Sequence, residues 1–359
     1  MRRLGLKRAP GTREGLTRAI AEVEMRRLMA EVKATPGVRE GLDLADLAHR
    51  YQRHLHALGR KRSTVAAVES VSRVWLVPQL GDRALATIKV EDVEDLMVTM
   101  RNAGVGPKSI RNYVGILSAM YRFAMHDRRR WATSNPCDAV DLPVVDESSE
   151  IHFLTVEEVE ALASAAQAGE YAQIDRAMYL TAAMTGLRQG ELLALRWRDV
   201  DWKAHRVRVR QNHVLGEFGT PKSKRSTRSV PMADRVGGEL DRLHQVSGRQ
   251  GDDDLVFGDP RTGEPLARGA LMRRYRRAPK AALLPSTHRF HDLRHTFGTR
   301  MAAAGVSMRT LQEWMGHRDI STTERYADYA PNAREVDMVQ AAFAPSANPS
   351  ANLSESDVI

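Results

Sequence analysis

Between His291 and Tyr326 the chain reads HDLRHTFGTRMAAAGVSMRTLQEWMGHRDISTTERY, and the spacing of apolar residues and glycines there constrains the fold more than any other stretch. His291 and Arg294 stand three apart in a helix-compatible run that Phe297, Met301 and Ala304 continue, so an imidazole and a guanidinium project from one face. Gly305 breaks that helix. A second short apolar helix around Leu311, Trp314 and Met315 should end at Gly316 and deliver His317 on a turn, with Tyr326 nine positions later. Two histidines, an arginine and a tyrosine make a poor metal site, because arginine cannot ligate and no carboxylate or thiolate cluster accompanies the imidazoles. They make a good phosphate site.

Composition narrows the partner. The 359 residues suffice for two domains with real cores, at 42% hydrophobic and 28% charged content. An excess of 54 Lys and Arg over 45 Asp and Glu, +9 in net charge, favours nucleic acid, although anionic membrane surfaces attract such charge too. No apolar run approaches a bilayer span, and the start MRRLGLKRAPG lacks the apolar core of a signal peptide. The lone Cys137 excludes an internal disulfide framework and a multi-cysteine metal site, so a cytoplasmic location is expected.

Taken in order, residues 1–40 form a basic segment with a candidate helix over 13–33, either a DNA-contacting arm or a solvated terminus. Residues 41–142 read as an all-helical domain, with helices expected over 44–58, 63–76, 90–101 and 107–126. Two of its helix starts place cations beside free backbone N–H groups: Arg60, Lys61 and Arg62 at one, Lys108 and then Arg111 at the other. Such ends favour anions and suit phosphate contacts along a duplex, while the plainer alternative is a capped helix with solvated cations. Arg122 and the run Arg128, Arg129, Arg130 extend the basic character. A segment from about Pro136 to Glu150 reads as a linker, with the boundary between the domains set at 143–150.

A second domain, 151–334, has its first helix start at Thr155, which with Glu158 forms a capping-box pattern. In the run TGLRQGELLALRW a glycine on each side of Arg188 suggests a turn that aims the guanidinium. An Arg188–Glu191 ion pair is the structural alternative, and both can hold. Residues 200–231 alternate as a small antiparallel sheet, with a turn at 216–219 and the Lys222-Ser223-Lys224 tip at or near another. A helix over 234–247, a short strand at 255–257 and a helix over 270–277 follow. A terminal helix is expected from 332 to 343, most of it in a C-terminal region, 335–359, that ends in a disordered tail.

With Arg188, the Lys222 hairpin, His291, Arg294, His317 and Tyr326 in this order, residues 43–334 resemble the tyrosine recombinases, the phage-integrase family. The resemblance rests on TGLRQGELLALRW, HDLRHTF and MGHRDISTTERY. It implies a mainly α fold with a small antiparallel β-sheet: a helical, SAM-like core-binding domain joined to an α+β catalytic domain. It also implies site-specific strand exchange on double-stranded DNA through a 3′-phosphotyrosine link, with no metal or other cofactor, and with no membrane involvement. Tyr326 resembles the nucleophile, Arg188 and Arg294 the pair gripping the scissile phosphate, and His291 and His317 the proton-managing imidazoles. Glu191 sits where the family often has a supporting acid. Lys222 is the choice for general acid, with Lys224 as competitor. Partners implied are specific core sites, further copies in a tetrameric synaptic complex, and accessory DNA-bending or directionality factors; such an enzyme would be nucleoid-associated when bound. Topoisomerase-like relaxation and a non-catalytic DNA-binding regulator remain the alternatives.

Overall fold

The first helix of the computed structural model that can be followed throughout, α1 (Leu44–Ala57), starts where the Asp43 side chain accepts a hydrogen bond from the Asp46 N–H at 2.8 Å. The structure describes residues 21–23, 25, 41–145, 151–166, 169–219, 227–285, 287–329 and 340. Lys222 and Lys224 lie outside these, as do nearly all of the expected terminal helices and the tail. The chain divides into two units, Met1–Ser148 and Ser149–Ile359.

In the first unit, α2 (Arg62–Val71) does not stop at the expected Leu76. It passes through a π-helical stretch, Ser72–Leu76, into a further turn, Val77–Leu80. Pro78 sits in the first turn of the resumed helix, where its missing N–H is tolerated, so it does not end the element. α3 (Val90–Asn102) and α4 (Pro107–Met125) complete the bundle, and Leu47, Val68, Leu96, Leu117 and Tyr121 fill its interior. The Tyr121 hydroxyl donates to the Leu85 carbonyl at 3.1 Å, which satisfies a buried polar group. The expected linker starts later than Pro136: Pro136–Ala139 form a 3₁₀ turn capped by Asn135, and Val140 still belongs to this core.

In the second unit Thr155 and Glu158 exchange both hydrogen bonds of the capping box ahead of α5 (Val156–Ser164). The central helix, α6 (Ala172–Thr185), is buried on nearly every side and packs against α5, α8 (Asp234–Val246) and α10 (Asp292–Ala303). Gly186 ends it at φ +65°, a conformation that an L side chain resists, and a Cβ there would sit 2.5 Å from Phe297. A short helix, α7 (Gln189–Leu192), follows.

The extended region forms two sheets: β1 (Val200–Asp201), β2 (Arg206–Val209) and β5 (Arg228–Pro231) in the order β1-β2-β5, and a hairpin of β3 (Asn212–Val214) and β4 (Glu217–Gly219). The hairpin turn is Leu215-Gly216, both at positive φ, and residues 217–219 are strand where a turn was expected. Leu255-Val256-Phe257 is likewise not a strand: Leu255 makes one isolated bridge to Arg196. α9 (Arg268–Ala281) outruns its expected 270–277, because Tyr275, Ala278 and Pro279 are buried and packing carries the helix through the proline. After α10 come α11 (Met308–Met315) and α12 (Ser321–Glu324). No helix among the described residues is long and apolar enough to cross a membrane.

Candidate functional site

The site is assembled from four places in the second unit. Arg188 is the N-cap of α7, and the Glu191 carboxylate one turn on accepts from its backbone N–H at 2.8 Å and from its Nη1 at 2.9 Å. Its Nη2 donates to the Gly316 carbonyl at 2.9 Å. Arg294, on α10, is 2% exposed and donates to the carbonyls of Gly186 and Met315, the latter at 2.6 Å. The two glycines that end α6 and α11 therefore also offer the carbonyls that set the planes of these guanidiniums, each of which keeps N–H groups that these bonds do not use. Burial and then the charge of Arg188 push the Arg294 pKa down to about 9, so it stays charged at neutral pH.

A third arginine, absent from the expected set, completes the charge. Arg228 of β5, its side chain 5% exposed, clamps Glu191 with two hydrogen bonds of 2.9 and 2.8 Å, and its Nε donates to the Trp314 carbonyl at 2.5 Å. Burial alone would raise the Glu191 pKa, but the hydrogen bonds from Arg228 and the charges of Arg228, Arg188 and Arg294 outweigh it and hold it at about 2. Three guanidiniums around one carboxylate leave an excess of positive charge. A cleft of ≈ 350 Å³, bordered by Arg206, Arg228, Arg309, Gly316 and His317, opens beside them.

Tyr326 follows α12 and is 2% exposed. Its ring lies at 15° to that of His317, centroids 6.3 Å apart, and its hydroxyl is 3.0 Å from His295 Nδ1. Burial raises the phenol pKa against the pull of Arg294, Arg325 and Arg188, so the group is protonated in this state. His317 Nδ1 meets the Thr323 hydroxyl at 2.9 Å. Burial, followed by the charges of Arg294, Arg188 and Arg228, holds its pKa down at about 3. His291 is the N-cap of α10, exposed, with its ring 4.9 Å from that of His295.

Two further residues escaped the sequence reading. His295 stands four after His291, on the same helical face, and that spacing was its signal. Gly298 lets Tyr326 lie directly on α10, since a Cβ there would be 2.5 Å from the phenol Cζ. Gly298→Ala should displace the ring by about an ångström and slow DNA cleavage by roughly 100-fold, with DNA binding retained in a mobility-shift assay. Wild-type cleavage by this variant would show that the ring reacts from elsewhere.

Because His317 is held neutral when folded, the unfolded chain takes up protons below the ordinary histidine pKa of 6.5 that the fold refuses until about 3. Stability is complete above that upper limit and falls with pH, by up to about 1.4 kcal/mol per unit from this group alone. The melting temperature should therefore drop steadily from pH 6.5 to 4, and His317→Gln should flatten the slope. A melting temperature constant over that range would contradict the assignment.

The expected contact residues of the first unit, Arg60, Lys61, Arg62, Lys108 and Arg111, are all exposed. Neither helix start carries a side-chain cap. Arg111 also donates to the Pro143 carbonyl at 3.2 Å. Arg129 is not a solvated cation, because it covers the Phe123 ring at 3.7 Å and donates to the Phe123 carbonyl.

Clustered guanidiniums and a buried phenol on an α+β unit are the donor set that suits a phosphoryl group, as in enzymes that process DNA. The family model for the phage integrase family matches residues 152–333. The chain belongs to the phage integrase family, the tyrosine recombinases. It is 26% identical over 326 residues to a XerC-like tyrosine recombinase of Caldanaerobacter subterraneus, covering 80% of this chain and 81% of that one. It is 28% identical over 272 residues to the transposase of transposon Tn916 from Enterococcus faecalis, covering 70% and 66%. Among solved structures, the integrase of transposon Tn1549 in complex with a circular-intermediate DNA aligns with TM-score 0.67 and 25% identity over 84% of this chain and all of that one. A lambda integrase dimer bound to a COC′ core site, at 22% identity and TM-score 0.61 over 78% and 97%, shares the fold. These relatives favour recombination over topoisomerase-like relaxation or a purely regulatory role.

Proposed function

We propose that Tyr326 is the nucleophile with which this recombinase cuts and rejoins DNA at specific core sites, in the service of a phage or other integrative mobile element. The observation that carries the assignment is the placement of its phenol, buried among Arg188, Arg294 and His317 and hydrogen-bonded to His295. Arg188 and Arg294 grip the scissile phosphate, and their planar forks offer paired donors that a lysine would not reproduce. Glu191, itself clamped by Arg228, fixes Arg188. The phenolic oxygen forms a bond to phosphorus as the bond to the 5′ oxygen breaks, and a lysine, Lys222 or Lys224, supplies the proton to that oxygen. His317 and His291 donate hydrogen bonds to the phosphate as charge accumulates. The phosphotyrosine conserves the ester, so a new 5′-hydroxyl can reseal the strand without external energy.

The helical unit, 41–142, is the core-binding domain in this reading, with Arg60, Lys61, Arg62, Lys108 and Arg111 on phosphates and residues 1–40 as an arm. Four copies act together in a synaptic complex in the cytoplasm, with accessory DNA-bending or directionality factors. The test is to footprint the protein, place a nick beside the cleavage position so that the released fragment diffuses away, and isolate the trapped adduct. Its nucleotide-bearing peptide should contain Tyr326. Attachment through any other residue, or no adduct at all, would overturn the assignment.

A further inference from the structure

We propose that His295 takes the phenolic proton of Tyr326 during cleavage and returns it during rejoining. The inference rests on the reading of Tyr326 as nucleophile and adds the group that activates it. Of the imidazoles His291, His295 and His317, His295 is the one with a ring nitrogen in hydrogen-bonding contact with the phenol hydroxyl, Nδ1 at 3.0 Å. His317 instead lies parallel to the phenol ring, and its Nδ1 is engaged by Thr323. His291 stands at the exposed start of α10, with its ring nearly perpendicular to that of His295.

The protonation states suit the transfer. His295 is neutral at rest because burial, and next the neighbouring His291, hold its pKa at about 4, against the opposing charge of Asp292 and with smaller contributions from Arg294 and Arg289. The phenol is protonated at rest. The hydroxyl therefore donates and Nδ1 accepts, which places the resting imidazole proton on Nε2. When the phenolic oxygen bonds to phosphorus its basicity collapses, since an aryl phosphate ester oxygen holds no proton. The O–H becomes strongly acidic within the same step, so a weak base aligned on it suffices. The balance is closed: the Oη–H bond breaks and its proton moves to Nδ1, Oη bonds to phosphorus, and the 5′ oxygen leaves with a proton from the lysine, Lys222 or Lys224, of the proposed function. An incoming phosphodiester also offsets the guanidinium charge that disfavours the imidazolium. On rejoining, the imidazolium gives the proton back to the departing phenolate.

The test is single-turnover adduct formation by the full-length protein on a nicked target duplex between pH 5.5 and 9, for wild type, His295→Gln and Tyr326→Phe. Glutamine keeps a hydrogen-bonding group but cannot take the proton. His295→Gln should bind DNA normally, form adduct about 100-fold more slowly at pH 7, and show a rate rising with unit logarithmic slope in pH, as hydroxide replaces the imidazole. Rates within a few-fold of wild type, or a slowed variant whose pH profile parallels that of wild type, would overturn the proposal and leave His295 as a positioning residue. If Gln lowers the melting temperature, His295→Asn is judged by the same two readings. Adduct formation by Tyr326→Phe would instead overturn the nucleophile assignment, so the two failures are distinguishable.

Discussion

Tyr326→Phe is expected to reduce the covalent protein–DNA adduct by at least about 10⁴-fold, the order of loss seen when a nucleophile is deleted from an enzyme. The substitution is narrow. Phenylalanine keeps the ring that lies parallel to His317 and fills the space above Gly298, so packing is preserved. Only the hydroxyl and its bond to His295 are lost, for about 0.5–1.5 kcal/mol of stability. DNA affinity should be unchanged in a mobility-shift assay, because the side chain is 2% exposed and offers little surface to a duplex. Adduct formation by this variant on nicked DNA would refute the role of Tyr326.

The second large effect falls on stability and catalysis together. Glu191→Ala removes the carboxylate that accepts both hydrogen bonds of the Arg228 fork and two from Arg188, one from its backbone N–H and one from its guanidinium. Arg188, with a side chain 39% exposed, can be solvated; Arg228, at 5%, cannot. Leaving one member of a buried pair uncompensated costs about 3–5 kcal/mol, which for a unit of this size lowers the melting temperature by roughly 10 °C. Cleavage should fall about 100-fold or more as Arg188 loses its orientation. The double variant Glu191→Leu with Arg228→Leu separates the two effects, since an apolar pair should restore most of the melting temperature and none of the cleavage. A single Glu191→Ala variant that melts with wild type would mean that the buried ion pair is not what holds β5 to α7.

Much of the site was legible in local sequence. The helical spacing of His291 and Arg294, the glycines at 186, 305 and 316, and the Thr155 capping box are written in neighbouring residues, and each recurs in the fold. Where propensity and packing disagreed, packing decided: α2 continued past Leu76 and α9 ran through Pro279, because the buried faces of both outweighed local signals. The Leu255 region failed as a strand for the opposite reason. A short apolar run marks burial, and only a partner of matching length makes it a strand.

By itself the sequence determined the helical character of the first unit and which residue types the second could bring together, since these follow from period, turn chemistry and charge. The tertiary structure alone decided that Arg228 reaches across 37 positions of chain to the Glu191 carboxylate it shares with Arg188, that Tyr326 lies on Gly298, and that His295 rather than another imidazole meets the phenol. Those are relations between distant segments. Burial is what gives them their strength, because a guanidinium, a carboxylate and a phenol removed from water interact far more strongly than the same groups in solvent, and burial is a property of the folded chain that no single stretch of it carries.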